Sequence, residues 1–275
     1  MKKTQLGPRE VQFFSYVQMR KKVLVRTGDL TNVLGINSKQ ERELFSRMAR
    51  AGLIIRLTRG VYLAPSRVPP GGKYGVDEYL ILEKLMEALE GRYQISGPNA
   101  FNYYGLTEQI PNRVYVYNNR IYGDRRIGSR QFSFIKTDDS RLGDTIVLKT
   151  GTGSKGMMAS KPRALLDAVY DWSRFNTLPK AYQWIIEEVK KDKTFAKDLV
   201  KMAVKYGNQG TRRRLGYLLE VLGTSPDLVN RLKRELRLSK SLFLWIPSRP
   251  ATGPVNKEWG LVINAEQEFL SFLRA

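Results

Sequence analysis

The order of local signals between residues 27 and 63 constrains this chain more than any other feature. A short helix opening near Thr27 or Gly28 should stop at Leu34-Gly35, because glycine readily takes the left-handed turn that ends a helix. After Ile36-Asn37, Ser38-Lys-Gln-Glu41 has the spacing of a capping box, so a second helix is predicted from Ser38 to about Ala51. At roughly 100° per residue, Leu44, Phe45, Met48 and Ala51 gather on one side of it. Lys39, Arg42, Ser46 and Arg50 fall in a narrow arc opposite, flanked by Glu43 and Arg47. The β-rich runs Leu53–Leu57 and Val61–Ala64 enclose Thr58-Arg59-Gly60, a hairpin with glycine where the turn is tight. Upstream, a helix from Pro8 to about Lys21 places proline at a first helical position, with Val11, Phe14, Tyr16 and Val17 on its apolar side. Three helices followed by a hairpin predict a winged helix-turn-helix over residues 1–68.

Charge says what such a head would meet. The chain of 275 residues carries a formal net charge of +21, with net +10 in residues 1–70, +2 in 71–160 and +9 in 161–275. An excess of that size favours a polyanionic partner, and its concentration in the first quarter points to DNA at the head. By projection from the early turns of the Ser38 helix, Lys39, Gln40, Arg42 and Ser46 are expected at base edges in the major groove. Thr27, Arg47, Arg50, Arg56 and Arg59 are expected at phosphate, with Ser38 and Thr58 beside them. A basic outer helix face is otherwise an ordinary solvated face. Helix order, spacing, wing and regional charge together favour DNA.

The chain has no histidine and no cysteine. That excludes Ser-His-Asp and Cys-His catalysis, His- or Cys-built zinc sites, and disulfides. Carboxylates, lysine, tyrosine, serine and threonine remain, and no compact acidic cluster suggests a magnesium site; Asp77, Glu78, Glu83, Glu87 and Glu90 read as the solvated side of a helix. The expectation is a non-enzyme without cofactor or metal. No apolar run approaches the roughly 20 residues that span a bilayer, and Met1–Leu6 has no apolar segment behind it, so no membrane association and no signal peptide are expected. A cytoplasmic protein is the matching expectation.

The remainder, residues 69–275, should form a larger mixed α/β body, making the fold class α+β. Ser66–Lys73, with two prolines and two glycines, is the linker candidate. A helix is predicted over about 76–89, a β-rich region over 92–160 with strands at Val114–Tyr117, Gln131–Ile135 and Thr145–Leu148, and a mainly helical region over 161–240. Its helices fall at Pro162–Trp172, Lys180–Lys191, Phe195–Tyr206, Thr211–Leu222 and Pro226–Arg237, with terminal strands in 241–264 at Leu242–Ile246 and Trp259–Ile263.

Several stretches resemble the AbiEi antitoxin family, the regulatory halves of AbiE-type toxin–antitoxin loci. Leu53–Leu63 is similar to the family's wing, with its arginine, glycine and aromatic. Ile95–Pro111 resembles a small-residue helix followed by Gly-Leu-Thr and Gln-x-Pro. Ala159–Asp167 is similar to a Glu-Arg-Ala-Leu-Leu-Asp segment, with Pro162 where glutamate is usual, and Arg213–Glu220 to another recurring stretch. The resemblance spans most of the chain. It implies a repressor that binds operator repeats at its own promoter, with an AbiEii-like nucleotidyltransferase toxin as functional partner and a body that counteracts it.

Three further features have competing readings. Arg212, Arg213 and Arg214 with Lys233, Arg234 and Arg237 could form a second nucleic-acid patch or simply an ordinary helix terminus. Gly151–Gly156 fits G-x-G-x-x-G, but the delayed helix and flanking strands favour a basic turn over a dinucleotide site. Tyr103, Tyr104, Tyr115, Tyr117, Tyr122, Phe132 and Phe134, interleaved with Arg113, Arg120, Arg125, Arg126 and Arg130, are either a packed sheet face or a base-stacking platform. The whole predicts a DNA-binding repressor and antitoxin. The rival reading is an RNA- or protein-binding neutraliser of the toxin with only non-specific DNA affinity.

Overall fold

Pro8 opens the first helix, α1 (Pro8–Met19), which ends just before Lys21 takes a positive φ of 50°. Its buried side is Glu10, Phe13, Phe14 and Val17, so the helix is rotated relative to the expected stripe: Val11 is exposed and Phe13 takes its place. A strand that the sequence did not announce, β1 (Leu24–Arg26), separates α1 from a single-turn helix, α2 (Thr31–Leu34). Gly35 stops α2 at φ 60°, as predicted. The long helix α3 (Ser38–Arg50) and the hairpin β2 (Ile55–Thr58) and β3 (Val61–Leu63) complete the head. Its sheet runs in the order β1-β3-β2, antiparallel throughout, which together with the three helices is the arrangement of a winged helix-turn-helix. The computed structural model describes residues 6–69, 73–150, 153–237 and 241–265; Pro70–Gly72 of the expected linker and Gly151-Thr152 of the glycine-rich stretch lie outside them.

The central strand β3 is buried at all three positions. Tyr62 stacks on Phe45 of α3, with ring centroids 4.5 Å apart. Alternation turns Val61 and Leu63 to the other face. The helix α4 (Glu78–Ala88), capped by the Asp77 carboxylate accepting from the Leu80 N–H at 2.8 Å, packs on β2 and β3. Two-sided cover explains why β3 reads as a continuous apolar run.

The strands that follow are β4 (Tyr93–Ile95), β5 (Val114–Asn118), β6 (Gly123–Ile127), β7 (Arg130–Lys136), β8 (Thr145–Lys149) and β9 (Lys155–Ala159), with α5 (Pro98–Tyr103) after β4. Hydrogen bonding orders them β6-β7-β5-β4-β9-β8, a mixed sheet in which β5 and β7 run parallel and β6 and β7 antiparallel. By contacts the chain divides into two compact units, one of residues 1–94, 112–142 and 147–157, the other of 95–111, 143–146 and 158–275. The head lies wholly inside the first.

The second unit is built from α6 (Lys161–Tyr170), the single turn α7 (Trp172–Phe175), α8 (Lys180–Lys191), α9 (Phe195–Tyr206), α10 (Gln209–Val221) and α11 (Pro226–Arg234), close to the predicted helices. Pro162 sits in the first turn of α6, where the missing N–H removes no helical bond, so it begins the helix rather than breaking it. One turn on, Arg163 and Asp167 form a fully buried pair at 3.0 Å. Ser96 donates to the second Asp167 oxygen at 2.9 Å, and the Arg163 guanidinium lies 4.0 Å from the Tyr206 ring centroid. The segment resembling the family's Arg-Ala-Leu-Leu-Asp is thus a polar core, with partners for its charges. Short strands β10 (Phe243–Leu244), β11 (Val255–Asn256) and β12 (Leu261–Val262) end the description. Among the described residues no helix is long and apolar enough to cross a membrane.

Candidate nucleic-acid interface

The start of α3 is fixed one residue earlier than the sequence suggested. Asn37, not Ser38, is the N-cap: its side-chain oxygen accepts from the Lys39 and Gln40 N–H groups at 3.0 Å each, and the Gln40 side chain accepts from the Asn37 N–H at 3.2 Å. This is a capping box of Asn37 with Gln40, so Ser38 is left exposed in the first turn and Gln40 has one of its side-chain groups engaged. Glu41, expected to close the box, is 0% exposed. Its two oxygens accept from the Gly28 N–H at 2.7 Å and the Leu30 N–H at 2.9 Å, tying the turn before α2 to α3. Two backbone donors satisfy a charge that could not otherwise be buried.

Leu44, Phe45 and Met48 are buried as predicted, whereas Ala51 is exposed because it caps the helix end. Lys39, Arg42, Ser46, Arg47 and Arg50 are exposed on the outer side. The side chains of Lys39 and Arg42 make no hydrogen bond or ion pair among the described residues. Arg50 Nε reaches the Ser46 carbonyl at 3.4 Å. Arg47 differs: its Nε and Nη2 donate to Glu10 Oε1 at 2.8 and 2.7 Å, so it clamps α3 to α1 while its stem remains half exposed.

The wing turn is shaped by Gly60, φ 73°, and by a β-bulge between Arg56 and Thr58. Arg59 is exposed at its tip, Arg56 is exposed with Nε 3.4 Å from the Thr58 carbonyl, and Thr58 is half-buried. Thr27 meets the turn directly, its N–H donating to the Gly60 carbonyl at 2.9 Å. The strand β1 therefore also brings Arg26, which sequence reasoning missed, beside the wing: it is exposed and pairs across from Val61. Three residues are too few to show a period, and that is why β1 and Arg26 went unseen.

The cations of the C-terminal cluster are employed otherwise than a surface patch requires. Arg213 is 5% and Arg214 6% exposed. Arg213 donates to the Trp259 and Arg237 carbonyls at 2.7 and 3.1 Å, and Arg214 to the Leu244 carbonyl at 3.0 Å. Burial lowers the Arg214 pKa below the ordinary guanidinium value. Arg212 donates to the Ala203, Val204 and Glu235 carbonyls. Lys233 pairs with Glu220 at 2.8 Å and with Glu258, and stands 5.2 Å from the Trp259 ring centroid. Five N–H donors on a planar fork let one guanidinium bond several carbonyls at once. These residues fasten α10 to the chain around β10 and β12, and only Arg234 and Arg237 of the expected patch are exposed.

Three of the seven aromatics are core: Phe132, Phe134 and Tyr117 are buried, and the half-buried Tyr104 donates its hydroxyl to the Ala159 carbonyl at 2.8 Å. Tyr103, Tyr115 and Tyr122 are not buried.

The helices, strand order and basic outer face of the head match the arrangement expected of a winged helix-turn-helix unit. Residues 15–65 match a family model described as transcriptional regulator, AbiEi antitoxin, in agreement with the resemblance noted in the sequence. No curated protein matches the chain. Among solved structures, the RV2827C protein from Mycobacterium tuberculosis is similar over 98% of this chain and 96% of that one, with a TM-score of 0.57 and 15% sequence identity. At that identity the likeness is one of fold.

Proposed function

We propose that this protein is a sequence-specific DNA-binding repressor that autoregulates a toxin–antitoxin operon and acts as its antitoxin through the body. The observation that carries the reading is the α3 face, where Lys39 and Arg42 stand exposed without a side-chain partner among the described residues, beside a wing tipped by Arg59. Cations left uncommitted by the fold are available to displace counterions from a phosphate backbone. The match of residues 15–65 to the AbiEi model supports a regulatory role in a toxin–antitoxin setting. On this reading Lys39, Gln40, Arg42 and Ser46 meet bases, while Arg26, Thr27, Ser38, Arg50, Arg56, Thr58 and Arg59 meet phosphate, with Arg47 dividing its guanidinium between Glu10 and DNA. The partner is operator DNA, and the functional partner an AbiEii-like nucleotidyltransferase toxin. The protein acts in the cytoplasm, by binding and not by catalysis; a chain without histidine or cysteine fits that role.

The test is a titration against the protein's own upstream DNA and a scrambled duplex at about 50 and 200 mM salt. Preference for the upstream DNA by about a thousandfold supports the repressor. Equal, salt-sensitive binding to both duplexes refutes it, as does unchanged operator affinity in Arg42→Glu combined with Arg59→Glu.

A further inference from the structure

Within the first unit, pairing register sorts the side chains of β5, β7 and β6 onto two faces. Val114 lies beside Phe132, and Val116 beside Phe134, with both phenylalanines buried. That face is core. On the other face Tyr115 lies beside Ser133, Ser133 across from Asp124, and Gln131 across from Arg126. Arg113, in phase with Tyr115 two residues on, donates to the Asp124 carboxylate, which also accepts from the Ser133 hydroxyl.

This second face carries Asp124, Arg126 and Gln131 exposed and Arg113, Tyr115 and Ser133 half-buried, with Tyr117 buried at its far end; Arg125 pairs across from Phe132 and lies over the Phe134 ring, on the core face. A hollow of about 170 Å³ lies among Arg113, Asp124, Arg125, Arg126, Gln131 and Phe132. Of its arginines, Arg113 and Arg126 share this face with Asp124, whose carboxylate is already engaged by Ser133 and Arg113. Tyr122, the residue before β6, is 77% exposed and in phase with Asp124 and Arg126 along the chain.

We propose that the Tyr115 face of β5, β7 and β6 binds single-stranded nucleic acid, with phosphate at Arg126, bases stacked on Tyr115 and Tyr122, and the Gln131 amide at a base edge. Surplus positive charge calls for a polyanion, and tyrosines on a sheet call for ligands that present ring faces. A duplex hides those faces in its stack. A single strand offers phosphates and bases at once. This site is separate from the α3 face and goes beyond the repressor reading, so either can stand without the other.

The test is fluorescence anisotropy of full-length protein with labelled single strands of about 12 nucleotides, a length within the site sizes of single-strand binders. One arm is RNA, a second is DNA of the same sequence, and a third is the upstream duplex. Tyr115→Ala and Arg126→Glu should each weaken single-strand binding by about tenfold or more, with duplex affinity unchanged. Tyr115→Phe, which keeps the ring, should retain it. Arg126 and Tyr122 are exposed, so Arg126→Glu and Tyr122→Ala read out binding even if Tyr115→Ala fails to fold. Tighter binding of one chemistry identifies RNA or DNA as the source. Single-strand affinity unchanged in Arg126→Glu and Tyr122→Ala overturns the proposal, as does single-strand binding that is lost only with Arg42→Glu and Arg59→Glu.

Discussion

Replacing Glu41 with alanine should loosen the tie between α3 and the turn before α2. In the native protein its carboxylate accepts from Gly28 and Leu30 at 2.7 and 2.9 Å, with no exposure to water. A hydrogen bond to a charged group contributes about 1.5–3 kcal/mol. In the variant the Leu30 N–H is buried without an acceptor, while the half-buried Gly28 N–H is readily rehydrated, so the expected loss is about 3 kcal/mol. Local opening free energies set amide exchange rates, and 3 kcal/mol corresponds to about a hundredfold faster exchange. Hydrogen exchange read by mass spectrometry should show that acceleration in peptides spanning residues 28–34 and the first turns of α3. Glu43→Ala, at an exposed position on the same helix, is the control and should change little. Exchange in Glu41→Ala within about twofold of wild type would refute the assignment of this carboxylate as the tie between α2 and α3.

Other expectations concern the second unit. A Cβ on Gly216 would stand 2.0 Å from a ring carbon of the buried Trp259, so Gly216→Ala should destabilise by about 3 kcal/mol or more. All four tryptophans lie in that unit, and their fluorescence during urea unfolding is the readout. Arg214→Lys should lower the melting temperature while leaving the salt dependence of operator binding unchanged, whereas Arg42→Ala should reduce the salt slope by about one; a reduced slope in Arg214→Lys would return that residue to a nucleic-acid role. Burial pushes the Asp144 carboxyl up, but hydrogen bonds from Tyr206 and Lys205 hold it below its usual value. A depressed carboxylate stabilises the fold above its unfolded pKa of about 3.9 and loses that contribution as pH falls through the lower folded value. Tyr206→Phe, which removes a 2.6 Å donor, should therefore cost more stability at pH 7 than near pH 2 in thermal melts.

How much was legible depended on whether burial left a period in the sequence. The α3 face was readable because Leu44, Phe45 and Met48 recur at helical spacing against Lys39, Arg42 and Ser46. The strand β6, Gly-Asp-Arg-Arg-Ile, was not: four of its five residues are exposed at a sheet edge, so no alternation marks it. The cap went to Asn37 over Ser38 because both residue types serve, and only backbone geometry chooses between them. Arg212–Arg214 misled for a different reason. Charge is visible in a sequence, but the carbonyls that draw the Arg213 and Arg214 guanidinium groups inward belong to residues 24 to 46 positions away.

The two-sided burial of β3 bears on how this chain can be cut and recombined. A fragment ending at residue 68 keeps α1, α3 and the hairpin but strips α4 from the outer side of the wing sheet, laying Ile55, Val61 and Leu63 open to water. Gly128, whose backbone lies against the Ile55 side chain, is lost with it. Such a piece would carry an apolar strip along a sheet with two unprotected edges, the kind of surface on which chains adhere to one another. A transplantable head would therefore have to bring its own roof.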